Sequence, residues 1–378
     1  MNIGILTLPL KHNYGGVLQA FALQEALKGL GHNVEIINRT GKDYRRWRLL
    51  IGKLKRGVGI GVSTHRSLIA KRLPDDVQKV LHRNFSVFIA QRINLTGPYS
   101  GIGCLAELQD GRYDAVVVGS DQVWRPAYCP WLPDYFCGFD KHEKITKIAY
   151  AVSFGLDRWS LNVLEASKYS KLAKQFRAIS VRESSGVHLC RKHLGVDADH
   201  VVDPTMLVDS GLYLGLIKES NCDASGMLAT YVLDESSGSM DLINGVCQLL
   251  DMENSPLMPS KFVGQDASSV DKKNIYMPIG DWLACLKTAE CVFTDSFHGT
   301  IFCLIFEKPF VVRGNRARGL TRFRSVLELF GLTERLLGVD ASANNVVNVM
   351  RKPIDWASVR AIRKDMRQQG LGFLQDNL

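Results

Sequence analysis

Residues 2–38 read NIGILTLPLKHNYGGVLQAFALQEALKGLGHNVEIIN, and they decide the fold. Ile3–Leu8 is an apolar run that suits a strand buried on both faces. Lys11–Gly16 is polar and ends in a glycine pair. From Val17 to Leu30 the apolar residues Leu18, Phe21, Ala22, Leu27 and Leu30 recur at helical spacing, and Gly31 follows as a stop. Val34–Ile37 is again apolar. Strand, helix, strand with glycines at the first turn is a βαβ unit, whose two strands are parallel.

The same alternation runs on. Ala115–Val118 predicts a buried strand, with Gly119–Trp124 just past its carboxyl end, and Lys147–Ser153 repeats the pattern. A helix is expected near 163–176, a strand at Ala178–Val181, and a last strand and crossing point at Val201–Thr205. A second series follows: strand Met227–Leu233, helix 238–251, strand Lys261–Val263, helix Asp281–Ala289, strand Cys291–Thr294, helix Thr300–Phe306 and strand Phe310–Val312. Helical patterns at 321–330 and 354–368 close the chain. The reading is α/β, with two Rossmann-like domains whose parallel sheets face a cleft. Residues 1–205 form the first domain and 206–350 the second. Residues 351–378 supply a helix that packs back across both.

Composition agrees with a globular chain. Of 378 residues, 46% are hydrophobic and 22% charged, and no repeat or low-complexity segment occurs. No apolar run approaches the roughly 20 residues that span a bilayer. The N-terminus reads as a strand rather than a signal peptide. The nine cysteines are odd in number and lack any CxxC, which indicates neither a disulfide framework nor a zinc ribbon. Cys285, Cys291 and Cys303 read as small core residues, and a reducing cytoplasm is expected. Metal-ligand spacing is absent as well, although loosely held Mg2+ needs little motif. The net charge of +9 is local. Ten basic residues and one acid lie between Lys42 and Arg72, and the rest of the chain is neutral. With Trp47, Leu49, Leu50, Ile51 and Leu54 interleaved, that stretch suits either an interfacial segment on anionic lipid or a solvated loop. No nucleic-acid-binding pattern accompanies it.

Chemistry gathers at the strand ends. In Thr294-Asp-Ser-Phe-His-Gly-Thr300, Ser296 or Asp295 is placed to cap a helix, and its first N–H groups favour an anion. His298 sits there as a proton donor for neutral pH. The plain alternative makes Ser296 only a cap and His298 a surface residue. Arg182, one residue past a strand, suits a carboxylate or phosphate, or else an ion pair with Glu183. Arg313, Arg316, Arg318 and Arg322 form a basic loop able to wrap an anion. Asp121 is placed to accept a sugar hydroxyl proton and Trp124 to stack on a sugar ring, or else to cap a turn and fill the core. Gly15 and Gly16 allow close backbone approach, with Asn13, Tyr14 and Gln19 nearby.

Five stretches in order resemble the polysaccharide pyruvyl transferase family: Asn13–Gln24, Gly119–Trp124, Val181–Ser185, Val202–Thr205 and Thr294–Gly299 with Lys308-Pro309. The resemblance implies a GT-B-like fold and transfer of pyruvate from phosphoenolpyruvate onto two hydroxyls of a sugar, as a cyclic ketal. It implies that His298 is the catalytic histidine; the residues themselves add Asp121 or Asp295 as a base for the acceptor. Arg182, Arg318 and Arg316, with Ser296, Gly299 and Thr300, would bind the donor. Asn13, Tyr14, Gly15, Gly16, Gln19, Ser120 and Trp124 would bind the acceptor, a sugar of an envelope polymer on a lipid carrier at the inner face of the membrane. No cofactor beyond phosphoenolpyruvate is implied. Where relatives carry Arg-x-His, this chain has Ser296-Phe297-His298, and Arg316 or Arg322 is the expected substitute. Two other readings compete: a nucleotide-sugar glycosyltransferase on a similar scaffold, and a non-catalytic anion-binding scaffold.

Overall fold

Six short apolar segments pair in parallel as the first sheet: β1 (Asn2–Leu6), β2 (Asn33–Ile36), β3 (Ala115–Asp121), β4 (Thr146–Val152), β5 (Ala178–Val181) and β6 (Asp199–His200). Their order is β2-β1-β3-β4-β5-β6. β3 is buried along its whole length, as expected of a valine-rich central strand covered by helices on both faces. A second parallel sheet holds β7 (Leu228–Tyr231), β8 (Asn254–Pro256), β9 (Cys291–Thr294), β10 (Phe310–Arg313) and β11 (Leu336–Leu337), in the order β11-β10-β9-β7-β8. The structure, a computed structural model, describes residues 1–41, 73–109, 111–142, 144–234, 237–314 and 319–378. The basic stretch 42–72 expected to meet the membrane lies outside the described residues, as do Arg316 and Arg318.

The first five strands of each sheet follow one plan. In each, the second strand in the chain lies outside the first and the third lies on its other side. This leaves a switch point between β1 and β3, and another between β7 and β9. Loops leaving a switch point in opposite directions open a crevice at the strand ends, where such sheets bind ligands. Here the two crevices meet. One apolar core runs from Ile3, Ile5, Val17 and Phe21 through Tyr14 to Trp282, Phe302 and Phe310, so the two halves share it. Tyr14 makes the junction explicit: its ring stacks on Trp282 at 4.9 Å and its hydroxyl donates to Met277 O at 2.9 Å. The helix Trp356–Asn377 ties both halves from behind. Arg363 donates to Ile305 O in the second half, Arg367 to Leu207 O, and Phe373 packs on Tyr150 of β4. Among the described residues no helix is long and apolar enough to cross a membrane.

Several expectations are corrected. Lys261–Val263 is not a strand: Val263 is 81% exposed, and the edge position beside β7 goes to β8. Val201–Thr205 is not a strand either. Pairing stops at His200, and Asp203 caps a turn at Pro204–Met206, where proline lacks the N–H a ladder needs. Cys285 is not a lone core thiol but is disulfide-bonded to Cys222, with Cα atoms 5.8 Å apart. Thr288 Oγ1 accepts from Ala224 N and holds the Cys222 loop against the helix Ile279–Thr288, a proximity invisible across 63 residues of sequence. Both helices that open at the switch points begin sooner than their apolar periodicity indicates, at Tyr14 and at Phe297. Gly15 and His298 therefore lie in first helical turns rather than in loops.

Candidate functional site

The two first turns touch. A Cβ placed on Gly15 would fall 2.0 Å from His298 Nδ1, so the imidazole edge rests directly on the glycine backbone. Ser296 is the cap of the helix Phe297–Phe306, its Oγ accepting from Gly299 N at 3.4 Å, and this holds His298 in the first turn. The ring is 6% exposed, and its Nε2 lies 3.5 Å from Asp203 Oδ2. That separation suits charge interaction but forms no hydrogen bond, and Nε2 is left buried without a partner.

Asp203 anchors the cluster. Its Oδ1 accepts from Thr205 N and Thr205 Oγ1, and its Oδ2 from Arg182 Nη1 at 2.7 Å. Arg182 Nη2 donates to Asp121 Oδ1 at 3.1 Å, and the guanidinium lies over the Phe297 ring at 4.4 Å. Arg322 approaches the same ring at 5.6 Å. Burial alone would raise the Asp203 carboxyl, but His298 and Arg182 hold it well below the usual carboxylate range. Burial likewise opposes ionisation of Asp121, and Arg182, His298 and Arg322 outweigh it. Burial, reinforced by the like charge of Arg182, brings Arg322 down to about 10. Glu183 turns away from Arg182 and accepts from Ser153 Oγ, Phe154 N and Gly155 N. Two buried carboxylates, Asp203 and Asp121, thus flank the Arg182 guanidinium. Buried atoms without a hydrogen-bond partner concentrate here: Arg182 Nε, Glu183 Oε2, Ser185 Oγ and His298 Nε2.

Asp121 links this cluster to open space. It forms part of the wall of a cleft of about 580 Å3, together with Lys11, His12, Asn13, Gly16, Gln19, Tyr128, Tyr276 and Met258. Asn13 is there as the cap of its helix, accepting from Gly16 N. Gln19 joins the ends of β1 and β3, donating to Thr7 Oγ1 and accepting from Ser120 N.

Other expected site residues are committed elsewhere. Asp295 is no base for an acceptor, because its two carboxylate oxygens accept from Leu233 N and Asp234 N and clamp the end of β7. Trp124 is no sugar platform: it is 2% exposed, stacks on Phe136 at 4.6 Å and donates Nε1–H to Tyr135 O. Ser120 is fully buried with its hydroxyl on Ala151 O. Tyr14 is occupied at the junction of the halves, as above. The Thr300 hydroxyl donates back to Ser296 O, and Gly299 packs against Thr294. Arg313 points to Ser239 Oγ and Val339 O instead of wrapping an anion. Arg182 has each terminal nitrogen donating once, to Asp203 and to Asp121, and its Nε has no hydrogen-bond partner. Among the described residues no group of three or more His, Cys, Asp or Glu side chains is arranged to hold a metal.

Sequence reasoning gave Asp203 no role. Val201–Thr205 reads as a last strand, and nothing in the spacing places Asp203 beside residue 298. The glycine pair was read as room for a ligand, whereas at Gly15 the close neighbour is His298.

Comparison with known proteins bears on both fold and family. A family model described as polysaccharide pyruvyl transferase matches residues 13–316. No curated protein matches the chain in sequence. Among solved structures, the glycotransferase of kitacinnamycin is similar with a TM-score of 0.52 at 13% identity, covering 100% of this chain and 98% of that one. Arabidopsis thaliana UGT89C1 complexed with UDP-L-rhamnose is similar with a TM-score of 0.51 at 7% identity, covering 99% and 97%. At such identities the likeness speaks for the fold, a two-domain Rossmann-like α/β architecture of the GT-B kind.

Proposed function

The chain belongs to the polysaccharide pyruvyl transferase family, and from that premise we propose that it moves pyruvate from phosphoenolpyruvate onto two hydroxyls of one sugar. The observation that carries this reading is the buried cluster of Arg182, Asp203 and His298. It has unpartnered polar atoms at the first turn of a ten-residue helix and opens through Asp121 onto the cleft. A small anion would complete Arg182 Nε, Ser185 Oγ and the helix N–H groups, as phosphoenolpyruvate requires of its site.

The chemistry then follows in order. An acceptor hydroxyl adds to C2 of the donor as C3 takes a proton, and the adduct passes through oxocarbenium character as phosphate leaves. The second hydroxyl closes the ketal and releases its proton. His298 is the general acid, for C3 or for the departing phosphate, and Asp203 Oδ2 lies 3.5 Å from its Nε2. Asp121 is ionised at neutral pH, so it orients an acceptor hydroxyl more readily than it removes a proton. No cofactor beyond the donor enters these steps. The acceptor we propose is a sugar of an envelope polysaccharide or its lipid-linked precursor, reached from the cytoplasmic face.

Thermal unfolding with phosphoenolpyruvate, and separately with UDP, GDP and CMP, tests the reading. At a hundredfold excess over Kd the donor stabilises by about 2.7 kcal/mol. A shift with phosphoenolpyruvate alone, reduced in Arg182→Lys, is the expected result. A shift with a nucleotide alone would replace pyruvyl transfer with glycosyl transfer.

A further inference from the structure

The aromatic partner expected of Trp124 has a substitute four residues on. Tyr128 is 46% exposed and forms part of the wall of the same cleft as Asp121. Its ring is backed by the guanidinium of Arg125, 4.3 Å from the ring centroid. Arg125 is itself held, its Nη1 donating to Gln122 Oε1 at 2.8 Å. Two backbone hydrogen bonds, Arg125 N to Gln122 O and Tyr128 N to Arg125 O, step the chain in threes. They carry the Gln122, Arg125 and Tyr128 side chains along one turn. One face of the ring is therefore covered by the guanidinium, which leaves the other face for a ligand, and the stack is fixed before any ligand arrives. Tyr276 and Met258 also line the cleft, and Asp121 offers an ionised carboxylate to it.

An aromatic face beside a carboxylate matches a pyranose ring, which presents axial C–H groups on one face and hydroxyls around its edge. We propose that Tyr128, backed by Arg125, is the platform on which the acceptor hexose stacks, with Asp121 taking a hydrogen bond from one of its hydroxyls. The inference deepens the function proposed above and rests on it for the identity of the ligand as an acceptor. A sugar seated this way lies at the mouth of the Asp121–Arg182–Asp203–His298 chain, where its hydroxyl meets the donor.

The test separates the two readings. Saturation-transfer NMR with methyl glycosides of galactose, glucose, mannose and N-acetylmannosamine, without phosphoenolpyruvate, reads sugar binding alone. Wild type and Tyr128→Phe are expected to bind at least one of them with affinities within about twofold, since both keep the ring. Tyr128→Ala is expected to lose about tenfold, the scale of one stacking contact, with an unchanged melting temperature. Equal binding by Tyr128→Ala, or no saturation transfer to any glycoside in wild type, overturns the platform. Sugar binding that depends on Tyr128 in a protein that phosphoenolpyruvate neither stabilises nor serves would leave the platform standing and remove pyruvyl transfer.

Discussion

Replacing Gly15 with alanine tests the contact on which the site depends. The added Cβ would lie 2.0 Å from His298 Nδ1, 2.2 Å from Cγ and 2.7 Å from Cβ, where approaches under 3.0 Å essentially do not occur. The ring must therefore retreat by about 1 Å, because the alternative is to part the two helices and the core they share. Stability moves little. Alanine is the better helix former by about 0.5–1 kcal/mol, and overpacking costs about 1–3 kcal/mol, so the net loss lies between about 0 and 2.5 kcal/mol. Catalysis moves more, since misplacing a reacting group by about 1 Å costs on the order of a hundredfold. Phosphate release at saturating donor and acceptor measures kcat, and thermal unfolding measures the fold. Gly29→Ala is the control, on the same helix with nothing within 4 Å of its added methyl. It should keep wild-type kcat. If Gly15→Ala also turns over at the wild-type rate, His298 is not the acid or the contact with Gly15 does not hold it.

Two further outcomes follow from the same geometry. Asp203 and Asp121 both titrate below the ordinary 3.8, so the native state binds fewer protons than the unfolded chain near that pH. Their contribution is fully present above about pH 4 and is lost as pH falls through the folded values. Asp203→Asn should show a shallower acid limb in stability against pH, with a loss of about 3–5 kcal/mol at neutral pH from the exposed imbalance around Arg182; an unchanged acid limb would mean the pairing contributes nothing. Trp124→Phe should cost about 1–3 kcal/mol, through the lost bond to Tyr135 O, and leave the KM for the acceptor unchanged. A raised KM at wild-type stability would return Trp124 to the cleft.

Much of the scaffold was legible before any coordinates. Strands such as Ala178–Val181 and Cys291–Thr294 are continuous apolar runs that end in polar turns, and local pattern suffices to find them. The same turns revealed where chemistry gathers, because a parallel strand delivers its next residues to the ligand side of the sheet. Arg182, Asp121 and His298 are singled out that way, and the fold brings the three into one cluster. Local pattern failed where a residue's role depends on direction. At the end of β3 the backbone passes through positive φ at Gly119 (131°) and Asp121 (68°), and beyond it Trp124 lies in the core and Tyr128 at the cleft. No periodicity records that difference.

By itself, then, the sequence determined the alternation of strands and helices, two parallel sheets and the strand ends that carry polar groups. These depend on burial and hydrogen bonding within short segments, and short segments are what a linear pattern encodes. Only the tertiary structure decided that Gly15 would lie against His298, that Asp203 would join Arg182 to it, and that Asp295, Ser120 and Thr300 would turn their polar groups to the backbone. Those contacts join residues as far apart as 15 and 298, and they exist only because one core pulls the two switch points together. Packing chooses among neighbours that the chain does not place side by side.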